Sequence, residues 1–384
     1  IFLVSVVSLF ATEGYFHFFN KDFFINENYR YLNKQRELEI KRSKISFDRR
    51  SKFEVKKKNN NLKLYISPSN FLLDNLKVYP LSSYSNELSI HCNDIGEYSI
   101  YKSDRYGFNN NDIYWEKDVQ NFLIGDSFVH GACVDQNQTI SGNLNYYGYP
   151  SINLGMSNIG PLIEYAILQE YLPLNTNDSK KKLFWFWYEG NDYEDFNREL
   201  NNKILNKYLI NYNFNQNLIN ENDMIAEYLL NKENNLIIEA KFDKYKKFFK
   251  LFYTRQLVKL LLNKHRSKNF KNLNHTPDFK NINKLISNIS NLSLDKGYKL
   301  HFFYLPSYFR LIDNKYQIKK NFEKSKLKEV LNNEGIYFYD FTNDIINFKN
   351  PKKFFVFNYN THYNKYAYNF FAKKIMSLIN NNND

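Results

Sequence analysis

From residue 119 onward the chain repeats one arrangement: a short apolar run, then Gly, Asn, Asp or Pro, then a longer segment of helical period. The runs occupy 119–124, 152–154, 183–188, 300–305 and 336–341. Short, aromatic and β-branched, they suit strands buried on both faces of a parallel sheet. Strands that alternate with helices predict an α/β doubly wound fold, with ligands bound beyond the carboxyl ends of the strands. Aromatic residues make up 18% of the 384, enough to fill a sizeable core. No internal repeat interrupts the pattern.

Two stretches depart from it. Residues 20–60 are highly charged without a clean apolar face, and read as a stalk or exposed helix leading into a mixed segment that runs to 97. The interval at about 195–295 is polar and aromatic, with helical spacing at Ile204, Leu205, Tyr208 and Leu209 and again at Phe242, Tyr245, Phe249 and Phe252. It predicts a helical insertion between two strands. Lys241, Lys244, Lys247 and Lys250 flank the second stripe, which favours an ordinary helix with a solvated basic face over one lying on a membrane. Residues 1–11 are apolar but too few to span a bilayer, which takes about 20. They fit the end of a truncated signal anchor within 1–19, or a buried strand or helix. The domain expected to carry function is 98–379.

The formal charge of +13 would ordinarily raise nucleic acid as a partner. Lys and Asn are spread throughout, including Lys56-Lys57-Lys58-Asn59-Asn60-Asn61 and the tail at 380–383, so charge is dispersed, not focused. No nucleic-acid motif accompanies it, and no nucleic-acid partner is expected. The two cysteines, Cys92 and Cys133, lack metal-ligand spacing, so no metal is expected. They are either two separate buried thiols or a disulfide formed in an oxidising compartment.

Three segments carry candidate chemistry. In Phe122-Leu123-Ile124-Gly125-Asp126-Ser127 an apolar strand ends in Gly-Asp-Ser where a helix can begin, which would hold the Ser127 hydroxyl at the carboxyl edge of the sheet. Read alone, Asp126 or Ser127 is as well explained as a helix N-cap. In Tyr188-Glu189-Gly190-Asn191-Asp192 a second strand brings the Asn191 amide, a neutral donor suited to an oxyanion, to the same edge; read alone it is a turn. His362, in Thr361-His362-Tyr363-Asn364, precedes a segment with apolar positions at Ala372, Ile375 and Leu378.

In order and context these segments resemble the SGNH (GDSL-like) hydrolase family, over roughly 98–379. The stretches at 103–110 and 153–161 are similar to further family blocks, the first typical of bacterial envelope members that start with a single hydrophobic anchor. The resemblance implies a flavodoxin-like three-layer α/β sandwich. It also implies a serine-dependent esterase or O-acyltransferase acting on an acyl ester of an envelope glycan or glycolipid, without metal or cofactor. Ser127 would be the nucleophile and His362 the base, with Asn191, Asn158 and the Ser127 backbone N–H forming the oxyanion site. Two positions depart from the family pattern. Asn158 stands where the family has Gly, and Asn360 and Tyr359 stand where it has the Asp that orients the His. Asn360 itself, Asp340 or Asp344 could take that role, a Ser–His dyad could act alone, or the chain could be a catalytically silent carbohydrate-binding module.

Overall fold

The computed structural model describes residues 2–19, 27–176, 181–264 and 278–381. Ile1, 20–26 of the expected stalk, 265–277 of the insertion and 382–383 of the Asn-rich tail lie outside them. Among the described residues the strands form two sheets. The smaller holds β1 Leu62–Leu64, β2 Leu88–Ile90 and β3 Ile100–Lys102, with β1 parallel and β3 antiparallel to β2. The larger holds β4 Asn121–Ile124, β5 Ser151–Asn153, β6 Lys181–Tyr188, β7 Tyr298–Leu305 and β8 Tyr337–Asp340. Every pairing in it is parallel, in the order β5-β4-β6-β7-β8. The chain is therefore mixed α/β with a parallel five-stranded sheet, and each of the five apolar runs supplies one strand.

Alternation along the strands sorts side chains to two faces. Leu123, Phe184, Phe186, Phe303 and Leu305 share one core with Tyr368, Phe371, Ala372 and Ile375 of the C-terminal helix Lys365–Asn381. Trp185 and Trp187 then point the other way. The Trp185 indole N–H donates to Glu164 at 2.7 Å, which sets the helix Pro161–Tyr171 on that second face. Because β5 and β6 flank β4 on opposite sides, the loops that follow them converge on the turn after β4.

The chain divides into two compact units. The larger comprises Ser46–Lys232 and Pro277–Asp384, and the smaller Ile1–Ile45 and Glu233–Thr276. The expected boundaries need correcting accordingly. Residues 46–60 of the expected stalk and the lead-in segment to 97 belong to the larger unit, where β1 and β2 pair. The insertion after β6 is helical, but only 233–276 of it belongs to the smaller unit. There, Glu13 on the helix Phe2–Phe18 accepts from the backbone N–H groups of Tyr253 and Thr254 at 3.1 and 2.7 Å, capping the helix Phe252–Lys264. His17 packs edge-on against Phe248. On the long helix Asn222–Phe249 it is thus Phe248 that meets this neighbour, while Phe242, Tyr245 and Phe249 are 58%, 62% and 70% exposed. Most of the aromatic stripe is thus exposed, and so are Lys241 and Lys250 beside it, the solvated basic residues expected. No described helix is long and apolar enough to cross a membrane.

Several acids are buried beneath the convergent loops. Burial lifts Asp126 to about 7 and Glu199 to about 8, and also raises Glu164 and Asp192 well above the ordinary range. Burial acts oppositely on His130 and His301, holding them at about 3 and about 4. A raised carboxyl contributes stability that is lost as pH climbs through its folded value; a depressed imidazole loses its contribution as pH falls from about 6.5. The two effects oppose each other below pH 6.5, and only the acids act above it. Thermal unfolding should therefore show stability falling between pH 6.5 and 8.5 by on the order of 2 kcal/mol. A flat profile across that window would count against these buried acids being neutral in the folded state.

Candidate active site

Ser127 opens a single helical turn, Ser127–His130, capped by the Asp126 carboxylate, which accepts from the Phe128 N–H at 2.9 Å. The N-cap reading of Asp126 is therefore correct. A four-residue helix carries little dipole, so the turn serves mainly to aim the Ser127 hydroxyl. The turn is tight because two glycines let other backbone in. A Cβ on Gly125 would lie 2.5 Å from Val129 and 3.1 Å from the Phe186 carbonyl oxygen. A Cβ on Gly155, in the loop after β5, would lie 2.9 Å from the His130 nitrogen.

His362 reaches this turn from the segment before the last helix. Its backbone carbonyl accepts from the Val356 N–H at 3.2 Å, and neighbouring Tyr363 bridges to Phe355. Phe128 braces it: that ring stacks on Tyr188 at 3.9 Å and lies 5.3 Å from the imidazole. His362 Nε2 stands 3.1 Å from Ser127 Oγ, and Nδ1 stands 2.8 Å from Asp94 Oδ2. A carboxylate accepts only, so Nδ1 carries the proton and donates to Asp94. Nε2 is then free to accept from the Ser127 hydroxyl. The imidazole and the Asp94 carboxylate are 31% and 18% exposed, so the relay opens to solvent.

Asp94 corrects the sequence reading. Asp340 is held by Lys324 at 2.6 Å and by the Thr342 N–H, and Asp344 by Lys374 at 2.7 Å. Both acids are committed elsewhere. Asn360 is not the partner of Nδ1 either, since Asp94 holds that position. The carboxylate comes instead from the loop between β2 and β3, in the segment expected only to lead into the domain. The loop is folded on itself by Ser99 N–H to Cys92 carbonyl and Gly96 N–H to Asn93 Oδ1, at 2.9 and 3.0 Å. It is tied to Asp48 by Asn93 Nδ2 to the Asp48 carbonyl and by the Asp48 N–H to the Gly96 carbonyl, both at 2.7 Å. Cys92 in the same loop is disulfide-bonded to Cys133, with Cα atoms 5.2 Å apart. Of the two readings of the cysteines, the bridge is the one found. The signal that could have located the acid was Cys92-Asn93-Asp94: a bridge to Cys133, just beyond Ser127, brings Asp94 with it.

Asn191 follows β6, next to β4. Its Nδ2 donates to Asp195 Oδ2 at 2.6 Å, which fixes the amide beside Asp126. Two residues earlier, Glu189 forms a buried ion pair with Arg310 and accepts from the Ser307 N–H at 2.8 Å, binding the loop after β6 to that after β7. Asn158 follows β5 on the other side and has φ of +62°, the left-handed region that Asn enters more readily than most residues. Its carbonyl accepts from the Ser67 hydroxyl at 3.2 Å, and that of Ser157 from the Tyr65 hydroxyl at 2.9 Å. Both carbonyls of this turn are thus held by the lead-in segment.

Among the described residues, Asp94, Cys133 and His362 bring possible metal-ligand atoms within 4.8 Å of one another. The Cys133 sulfur is committed to the disulfide, which leaves two donors, fewer than the usual three or four protein ligands of a zinc site. Comparison with family models finds no match, and comparison with curated proteins finds none of significant similarity.

The bridge can be checked directly. After denaturation without reductant, alkylation should leave both cysteines unmodified, and after reduction it should add two groups by mass. Closing a loop with a sequence separation of 41 residues should contribute about 4 kcal/mol to stability. Two modified thiols without reductant would exclude the bridge.

Proposed function

We propose that this chain is a serine-dependent ester hydrolase or O-acyltransferase of the SGNH type, built on a flavodoxin-like three-layer sandwich. The observation that carries the reading is the relay from Asp94 through His362 to Ser127, at 2.8 and 3.1 Å. The strand order, second-first-third-fourth-fifth, supports the fold assignment, being the flavodoxin-like order with its ligand site at the switch strand. In the proposed reaction Ser127 Oγ attacks the ester carbonyl while His362 Nε2 takes its proton. Asp94 holds the imidazole in the tautomer that can accept that proton and stabilises the cation formed. The Ser127 backbone N–H, the Asn191 amide and the backbone N–H of Asn158 are the proposed oxyanion donors. Collapse expels the alcohol, protonated by His362, and the acyl-enzyme passes its acyl group to water or to a sugar hydroxyl.

An acyl ester on an envelope glycan or glycolipid is the proposed substrate, in keeping with an open site. The proposed location is the membrane surface of the cell envelope, with no nucleic-acid partner. Phe242, Tyr245 and Phe249 support it, as exposed apolar side chains on a helix that also bears exposed Lys241 and Lys246. The silent-module alternative drew on Asn158 in place of Gly and on the lack of an acid before His362; Asn158 adopts a φ of +62°, and Asp94 supplies a carboxylate from elsewhere.

A fluorophosphonate probe should label the wild type and not Ser127→Ala. Against activated esters, Asp94→Asn should lower kcat by roughly 10³–10⁴-fold, and Asn191→Ala by roughly 10²–10³-fold. Asn360→Asp should bring no gain, because Nδ1 already has its carboxylate. Wild-type protein that neither labels nor turns over any ester would end the catalytic reading. Separately, the protein should float with anionic lipid vesicles, and Phe242→Glu/Phe249→Glu should not. Equal flotation of the two would remove this helix from the membrane proposal.

A further inference from the structure

The Cys92–Cys133 bridge lies against the relay as well as beneath the loop. The Cys133 sulfur is within 4.8 Å of both a carboxylate oxygen of Asp94 and a ring nitrogen of His362. Cys92 precedes Asp94 by two residues, and Cys133 follows Ser127 by six. One covalent bond therefore joins the short segment that carries the acid to the short segment that carries the nucleophile. The hydrogen bonds described above for the loop run within it or to Asp48; beside the bridge, at the base of the loop, the His91 ring packs on that of His130 in the Ser127 turn, centroids 4.6 Å apart. Cys133 itself has φ of +62°, a conformation rarely taken by residues other than Gly, Asn and Asp. Such local strain persists only where the surroundings enforce it.

We propose that Cys92 and Cys133 are positioning residues whose bridge sets the Asp94–His362 contact, so that the redox state of this one bond controls the strength of the catalytic base. This rests on the catalytic reading given above. Bridged, Asp94 is held at hydrogen-bonding distance from Nδ1. Reduced, the loop keeps its own hydrogen bonds but can drift from the Ser127 turn, and His362 loses the partner that fixes its tautomer. The reductant is a dithiol. Its thiolate attacks the half-buried Cys92 sulfur, forming a mixed disulfide and expelling the Cys133 thiolate, which takes up a proton. The second dithiol sulfur then displaces Cys92, which is protonated in turn. The dithiol leaves as its own disulfide, and two electrons and two protons have passed to the protein.

The experiment measures ester turnover at 15 °C for wild type and Asp94→Asn, each oxidised and reduced by a dithiol, with far-UV circular dichroism recorded on every sample. Reduction should lower wild-type kcat at least about tenfold with KM changed less than about threefold, and should change kcat of Asp94→Asn less than about twofold. Cys92→Ser without reductant should match reduced wild type. In parallel, the low-field proton resonance of His362 Nδ1 should be present in oxidised wild type. It should vanish on reduction and be absent from Asp94→Asn. Three results would overturn the proposal: unchanged kcat on reduction, an equal fall in both proteins, or unfolding of both reduced wild type and Cys92→Ser. The last two would make the bridge a staple of the fold alone. Oxidised wild type without turnover or labelling would instead sink the catalytic reading, while the proton resonance, which needs no turnover, would still decide whether the bridge holds Asp94 to His362.

Discussion

The parallel pairing of β4 with β5 on one side and β6 on the other is the constraint on which the site depends. It makes β4 the strand from which neighbouring connections leave in opposite directions, so the turn after β4 faces a crevice bounded by the loops after β5 and β6. That is where Ser127 stands, with Asn158 in the connection after β5 and Asn191 in that after β6. The aromatic core secures this register, because a slip of one residue would turn Phe184 and Phe186 away from the C-terminal helix and Trp185 away from Glu164. Strand pairing and side-chain packing thus fix the frame to which Ser127 is attached.

The frame alone leaves the imidazole without its acid. Asp94 comes from a second, three-stranded sheet, and its loop is joined to the Ser127 segment by a covalent bond. Positions a few tenths of an ångström apart decide whether a relay of hydrogen bonds forms. Carried on a hairpin loop, a carboxylate has more freedom than one on a strand, and the bridge restricts that freedom. The same lead-in segment holds the Asn158 turn through Ser67 and Tyr65. It is therefore part of the site's construction on two sides.

Legibility in the sequence followed the range of the interactions. The five strands were readable because each is a local apolar run bounded by turn formers, and Ser127, Asn191 and His362 because each follows or adjoins such a run. Asp94 was not readable by that rule. Its role depends on contacts across 268 positions in the chain, and the residues around it, Asn93 and Ile95 to Gly96, look like any turn. Asp340 drew attention because it ends a predicted strand, as catalytic residues do, yet a salt bridge to Lys324 occupies it. The stripe at Phe242, Tyr245 and Phe249 was legible as one helix face, yet the structure leaves it exposed. Periodicity reports that a face is apolar, but not what covers it.

The buried acids add an electrostatic consequence. Asp126 adjoins the proposed nucleophile Ser127, and Asp192 and Asp195 both lie in the helix that follows Asn191. Were all of them ionised in a medium of low polarity, they would oppose a negative charge developing on an ester oxygen nearby. Burial raises Asp126 to about 7 and Asp192 well above the ordinary carboxylate range, which lessens the negative charge under the proposed oxyanion site. Neutral, Asp126 still caps the turn through the oxygen facing the Phe128 N–H. The arrangement keeps polar groups where the turns need acceptors while limiting charge where the chemistry would suffer from it. Its cost appears as the pH rises, when those protons leave and both stability and the proposed oxyanion binding weaken together.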